Sequence, residues 1–223
     1  MLVSQALESR ITCRAFLDRP VPAQTIRTIL TQASRAPSGG NLQPWHVAVL
    51  NGEAMTRFKA TMERRLAGET HPQGEAPQYK VYPEKLSEPY RTRRFAVGEQ
   101  LYGLLGIPRE DREGRRKRFA ENFRFFGAPA AIFCFVDRQM GPPQWSDLGM
   151  FLQSFMLLAS EAGLDTCPQE CWHLFPRTVA EFCAMPDALM LFCAIAIGRR
   201  DGDAAVNRLA SPRAPLSEWV RIA

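Results

Sequence analysis

DLGMFLQSFMLLASEAGL, residues 147–164, is the stretch whose reading decides the fold. Leu148, Phe151, Leu152, Phe155, Leu158 and Ala159 recur at helical spacing. Met150, Met156 and Leu157 make the opposite face apolar as well. A helix apolar all round must be buried on both sides. The residues leave two settings open, the core of one chain and the interface between two copies, and the interface is the more economical for a domain of this size.

Working outward, LMLFCAIAI (189–197) reads as a buried central strand closed by Gly198, and AAIFCFV (130–136) as a second apolar strand. WHVAVL (45–50) is a third, ending at the turn signal Asn51-Gly52. Helices are predicted from Val3 to about Glu8, through Ile26, Ile29, Leu30 and Ala33, from Gly52 to Leu66, from Thr92 to Leu105, and from Arg109 to Phe125. Helices and strands mingle without a regular βαβ rhythm, which predicts an α+β fold. Between Gly68 and Arg91 the composition turns polar, with Pro72, Pro77, Pro83 and Pro89, and reads as an excursion or lid within one domain spanning 1–223. The tail 199–223 is polar, with Leu216, Trp219 and Val220 as apolar anchors that need a surface to pack on.

The 223 residues, 46% of them hydrophobic, suffice for a full apolar core. The net charge of +5 is spread among interspersed acids and bases, which favours a solvated basic surface over a nucleic-acid face. The sharpest basic cluster, Arg112–Arg118, follows Glu110 and Asp111 and reads as an exposed helix. Six scattered cysteines match neither a disulfide scaffold nor a zinc site, and His46, His71 and His173 are too dispersed for a metal centre. The N-terminus lacks a basic start with an apolar stretch, and no apolar run is long enough for a membrane span, so the expectation is a cytoplasmic protein with neither membrane nor nucleic-acid partner.

HExxH, GxSxG, Walker and GxGxxG spacings are absent, which directs attention to cofactor chemistry. Arg10, Thr12 and Arg14 alternate, so an extended backbone would aim all three side chains at one face. That face would offer charge-assisted donors to a phosphate or polar heterocycle, while a solvated loop remains the plain reading. Pro37-Ser38-Gly39-Gly40-Asn41-Leu42-Gln43-Pro44-Trp45 is a turn at a helix end whose glycines permit close approach of a ligand to the backbone.

Together these two segments resemble the N-terminal motifs of the nitroreductase family. NFRFFGAP (122–129), GLDTCPQECW (163–172), Gly198, Asn207-Arg208 and Arg213 extend the resemblance over nearly the whole chain, nearest to its nitrobenzoate-reductase-like branch. The resemblance implies a three-layer αβα sandwich around a mainly antiparallel sheet, in an intertwined homodimer whose C-terminal tails embrace the partner. It implies FMN as cofactor and NADPH or NADH as electron donor, in a ping-pong hydride cycle through the flavin N5 that reduces nitroaromatic, quinone or similar electron-poor small molecules. By the same resemblance Arg10 and Arg213 hold the phosphate, with Arg208 a possible addition; Arg14 lies near N1 and O2, and Thr12 near the pyrimidine or ribityl side. Ser38, Gly39 and Asn41 come from the other subunit. Pro168, Gln169 and Glu170 lie beside N5, with the Glu170 and Cys171 N–H groups as donors. No side chain is needed as a catalytic acid or base. The stretch 68–91 and the helix Arg109–Phe125 would form variable walls, with Trp172 and Phe125 as candidate aromatic contacts. Within the same fold, reductive dehalogenation, flavin-fragmenting oxygenation and a non-catalytic flavin-binding dimer are the alternatives.

Overall fold

A computed structural model describes residues 1–67 and 74–222. His71 and the first residues of the polar excursion lie outside the described residues. Chain order is α1 (Val3–Ser9), β1 (Phe16–Leu17), α2 (Ala23–Ala33), β2 (His46–Asn51), α3 (Glu53–Leu66), α4 (Tyr90–Leu104), α5 (Arg112–Ala120), β3 (Ala130–Asp137), α6 (Pro142–Glu161), β4 (Asp165–Gln169), α7 (Pro176–Phe182) and β5 (Leu189–Arg200). Short 3-10 turns intervene at Gly39–Asn41, Glu121–Gly127, Cys171–Leu174, Ala205–Arg208 and Leu216–Glu218.

The sheet is antiparallel throughout its named strands: β1, β5, β3 and β2 run in that order, and β4 pairs with β5. Strands β3 and β5 are buried along nearly their whole length, so both faces of the sheet need a cover. Phe133 and Phe135 of β3 join α3, the Glu121–Gly127 turn and α7 in one apolar cluster. Ile132, Cys134 and Val136 of the same strand join α2 and α6 in the other. The alternation of side chains along one strand thus produces the three-layer αβα sandwich. The β3–β5 register shifts between Cys134/Cys193 and Phe135/Leu191, leaving Phe192 as an extra residue on β5. This bulge lets Leu191 and Ala194 serve one cluster while Met190 and Cys193 serve the other.

Helix α6 buries Leu148, Phe151, Leu152, Phe155, Met156 and Ala159 against the sheet and α2. Its opposite side is only partly covered: Met150 is 39% exposed and Leu157 half-buried. The helix is therefore buried by its own chain on one face alone. It begins five residues before the apolar run, because Pro142 fits the first helical position. It stops at Glu161 because Gly163 takes φ +72, which lets the Leu164 N–H reach Ala159 O at 2.9 Å and the Gly163 N–H reach Ser160 O at 3.0 Å.

One helix boundary needs correction. The helix predicted over Arg109–Phe125 ends at Ala120, and the chain continues in a kinked turn in which Phe125 and Phe126 adopt φ +54 and +53. A regular helix could not send Phe123, Phe125 and Phe126 into one cluster, as the turn does. Strands β1 and β4 and helix α7 were not foreseen. The described part of the excursion, residues 74–89, has no helix or strand but is strapped to the body. Glu75 accepts N–H bonds from Arg177 (2.6 Å) and Thr178 (3.2 Å) at the start of α7, Gln78 accepts the Leu191 N–H at 2.9 Å, and the Tyr79 hydroxyl donates to Phe192 O.

Gly198 sits where β5 passes β1 and the approach to β3. A Cβ there would lie 2.8 Å from Pro129 Cδ and 2.9 Å from the Phe16 ring. Gly198→Ala is expected to lower unfolding free energy by about 1–3 kcal/mol in urea titration. An unchanged midpoint would show that the junction relaxes freely.

Candidate cofactor site

The first motif lies along the outer edge of β4. Thr12 bridges Thr166 in parallel, and the Cys13 N–H donates to Thr166 O at 2.9 Å. This extended backbone is the conformation that alternation of Arg10, Thr12 and Arg14 required. The same pairing places the motif beside Pro168, Gln169 and Glu170 at the far end of β4.

Asn207 locks the motif from outside. Its Oδ1 accepts the Arg14 N–H at 2.8 Å, and its Nδ2 donates to Ala15 O at 2.8 Å and Asp201 O at 2.9 Å. The amide is buried and uses three of its four hydrogen-bonding positions on backbone. Arg118 closes the other side, donating to Arg14 O at 2.8 Å with its guanidinium 4.8 Å from the centre of the Phe126 ring. Burial holds the Arg118 pKa below the usual arginine range, with Glu121 acting against that and Arg14 adding to it. Sequence reasoning gave Asn207 no role and did not single out Arg118. Their partners lie far away in the chain, and no local pattern marks them.

Arg10 carries a buried donor, its Nε, without a hydrogen-bond partner among the described residues. Burial, and after it the charge of Arg213, holds the Arg10 pKa below the ordinary value. Arg213 itself donates to Ser211 O at 2.7 Å and Pro212 O at 3.2 Å, and neither arginine has a carboxylate partner among the described residues. Two guanidinium groups beside an unsatisfied donor are groups that an anion could pair with.

At the end of β4, Pro168 and Glu170 are exposed while Gln169 is buried. The Gln169 side chain turns inward, donating to Asn122 O at 2.8 Å and accepting from Trp172 Nε1 at 3.4 Å, and its backbone pairs with Ala194 of β5. Trp172 and Phe125, expected as possible aromatic contacts, are fully buried and pack on one another at 4.7 Å between ring centres. They are core residues, because the kinked turn delivers Phe125 to the same apolar cluster as Trp172. Cys171 packs against that cluster, and burial raises its thiol pKa well above the ordinary range. All six cysteines are free, and burial likewise pushes Cys13, Cys134 and Cys167 up to about 12. Among the described residues, no group of three or more His, Cys, Asp or Glu side chains could hold a metal ion.

The second motif is elsewhere. Gly39–Asn41 forms a turn in which Gly40 and Asn41 adopt φ +58 and +57, and its Gly39 N–H donates to the buried Asp147 carboxylate at 3.2 Å. Ser38 Oγ accepts the Gln43 N–H at 3.0 Å, and Asn41 Oδ1 accepts from Gln43 Nε2 at 3.2 Å. Gly39 and Asn41 are exposed. The turn is thus anchored near the start of α6. The Arg10–Arg14 segment is anchored beyond its end, where Arg200 joins Ser9 O (3.4 Å) to Asp165 (2.7 Å). From Asp147 to Glu161 the helix rises about 21 Å.

The family model described as "Nitroreductase family" matches residues 7–199. A chloronitrobenzene nitroreductase of Comamonas testosteroni is 37% identical over 217 residues, covering 97% of this chain and 95% of its own. A 4-nitrobenzoate reductase of Pseudomonas putida is 37% identical over 205 residues, covering 92% and 88%. Among solved structures, the FMN and NADPH-dependent nitroreductase NfnB of Sphigopyxis sp. strain HMH superposes with a TM-score of 0.94 at 44% identity, covering 100% of this chain and 99% of that one. The FMN-dependent NfnB of Mycobacterium smegmatis, solved with NADPH, gives 0.91 at 30% identity, with both chains covered completely.

Asn207→Ala removes three buried hydrogen bonds and strands the Arg14 N–H. The expected loss is about 1–3 kcal/mol of unfolding free energy, read by urea titration. A change within experimental error would show that water replaces the amide.

Proposed function

Because the chain belongs to the nitroreductase family, we propose that it binds FMN between two copies of itself and uses it to carry electrons from NADPH or NADH to nitroaromatic, quinone or similar electron-poor acceptors. The observation that carries this reading is the buried, unpartnered Nε of Arg10 beside Arg213. A phosphate dianion satisfies both guanidinium groups and the orphaned donor at once. The edge of β4 supplies the rest of one half-site: the Thr12 hydroxyl, the Arg14 guanidinium and the backbone of Pro168, Gln169 and Glu170. The partner subunit's Ser38, Gly39 and Asn41 complete it, since within one chain the turn and the Arg10–Arg14 segment are anchored toward opposite ends of α6.

Exposed apolar residues support a second copy. Met1, Leu2, Val3 and Leu7 of the N-terminal segment are 61%, 67%, 68% and 52% exposed, and Met150 lies bare on α6. The tail is fixed to α4 through Glu218 and Arg93 at 2.5 Å, yet Trp219 remains 68% exposed and Ile222 92%. Apolar groups left open in this number are a surface for a partner chain, and we assign the tail to that embrace. The whole chain is read as one domain, and its free thiols suit the cytoplasm. No helix among the described residues is long and apolar enough to cross a membrane.

Held by these residues, FMN would supply the redox chemistry between the nicotinamide donor and the acceptor. The chain's own part is binding, orientation and field. Arg14, fixed at its backbone by Asn207 and Arg118, would offer a preorganised positive charge to a ring that becomes negative on reduction. The backbone near Glu170 orients the ring, and neither that carboxylate nor any thiol is assigned a proton.

Purified protein is expected to be yellow, and anaerobic NADPH or NADH should bleach its visible absorbance, with a nitroaromatic restoring it. Bound flavin that neither nucleotide bleaches would leave a non-catalytic flavin-binding dimer. Arg10→Ala should weaken FMN binding about ten- to a hundredfold in titration of the apoprotein. Unchanged affinity would remove Arg10 from the phosphate site.

A further inference from the structure

A groove of about 660 Å³ lies between the stretch Pro83–Leu86 and helix α4, with α5 closing one end. Its charges do not cancel. Arg91 is paired with Glu88 at 2.6 Å. Arg115 is held by Glu99 through contacts of 2.9 and 3.3 Å while stacking on Tyr102 at 4.1 Å, and Glu84 is paired with Lys80 at 2.6 Å. Among the described residues this leaves Lys85 and Arg94 as groove cations without a carboxylate partner. The Arg94 guanidinium lies over the Tyr82 ring at 4.2 Å, which fixes it in the groove wall. Phe95, also in the wall, is 53% exposed.

The groove lies next to the Arg10–Arg14 segment along α5. Arg115 in its wall and Arg118 against Arg14 stand one turn apart on α5, a rise of about 5 Å. Two unpaired cations suit a dianion, the bare aromatic ring suits a heterocycle, and the volume exceeds what one small aromatic acid fills.

We propose that this groove receives the phosphorylated adenosine end of NADPH, with Arg94 and Lys85 on its 2′-phosphate, and that these two residues set a preference for NADPH over NADH. The assignment rests on the nicotinamide nucleotide being the electron donor. Phe95 offers a face to the adenine, and the Arg115–Glu99 pair, already satisfied, shapes the wall without competing for the phosphate.

The test uses the FMN-loaded protein and its Arg94→Ala, Lys85→Ala and doubly substituted forms, all altered at exposed positions. Anaerobic rapid-mixing kinetics would give the apparent Kd and limiting reduction rate for each nucleotide. Each single variant should bind NADPH about ten- to a hundredfold more weakly, with NADH affinity and both limiting rates essentially unchanged. Arg94→Lys should recover part of the loss. Calorimetry with 2′,5′-ADP, which needs no electron transfer, should show binding to the wild type that the double variant loses. Equal weakening of both nucleotides, or an unaltered NADPH to NADH ratio, would overturn the assignment. If neither nucleotide reduces the wild-type flavin, the donor reading fails instead, and binding of 2′,5′-ADP in the groove is then judged by calorimetry alone.

Discussion

Strands β3 and β5 have no wet face, and this constraint organises the molecule. Two buried faces demand two helical layers, and the bulge at Phe192 keeps side chains feeding both clusters from Leu189 to Ile197 of β5. With both faces covered, the backbone open to a ligand is at the sheet's edge. There β4 and the Arg10–Arg14 segment run side by side. An open edge carries unpaired donors and acceptors, which a cofactor and a second subunit can occupy in place of another strand. Folding thus produces the site as the place where covering the sheet stops.

The electrostatics follow the same line. Repulsion between Arg10 and Arg213 in a partly buried setting is unfavourable to the chain alone. It is tolerable where the surrounding fold holds the backbone rigid, and Asn207 and Arg118 do so with hydrogen bonds to Arg14 and Ala15. A bound phosphate would offset that repulsion, and the free energy of binding would then also stabilise the fold.

The sequence made much of this legible, and its failures have physical causes. Apolar periodicity located α2, α3, α6, β2, β3 and β5, because those elements are long and bury a regular face. It missed β4, whose DTCPQ is short and contains a proline that only an edge position accepts. It ran α5 into Phe125, since the left-handed backbone at Phe125 and Phe126 is imposed by tertiary packing and leaves no local trace. The alternation at Arg10, Thr12 and Arg14 was readable because one extended segment carries it. Asn207, Asp147 and Arg118 were not, because each acts on a segment remote in sequence, and Trp172 looked like a ligand contact only until the packing around it was known.

In the proposed dimer, one flavin site draws on two chains. This sharing is tested most directly by letting Arg10→Ala and Asn41→Ala subunits exchange and titrating the mixture with FMN. In a heterodimer, a shared site predicts one position with both residues intact and one with neither. Tight FMN binding should then reappear, approaching one equivalent per heterodimer, although each parent binds weakly. If the mixture binds no better than the average of its parents while exchange is verified, the two motifs do not serve one flavin from different subunits.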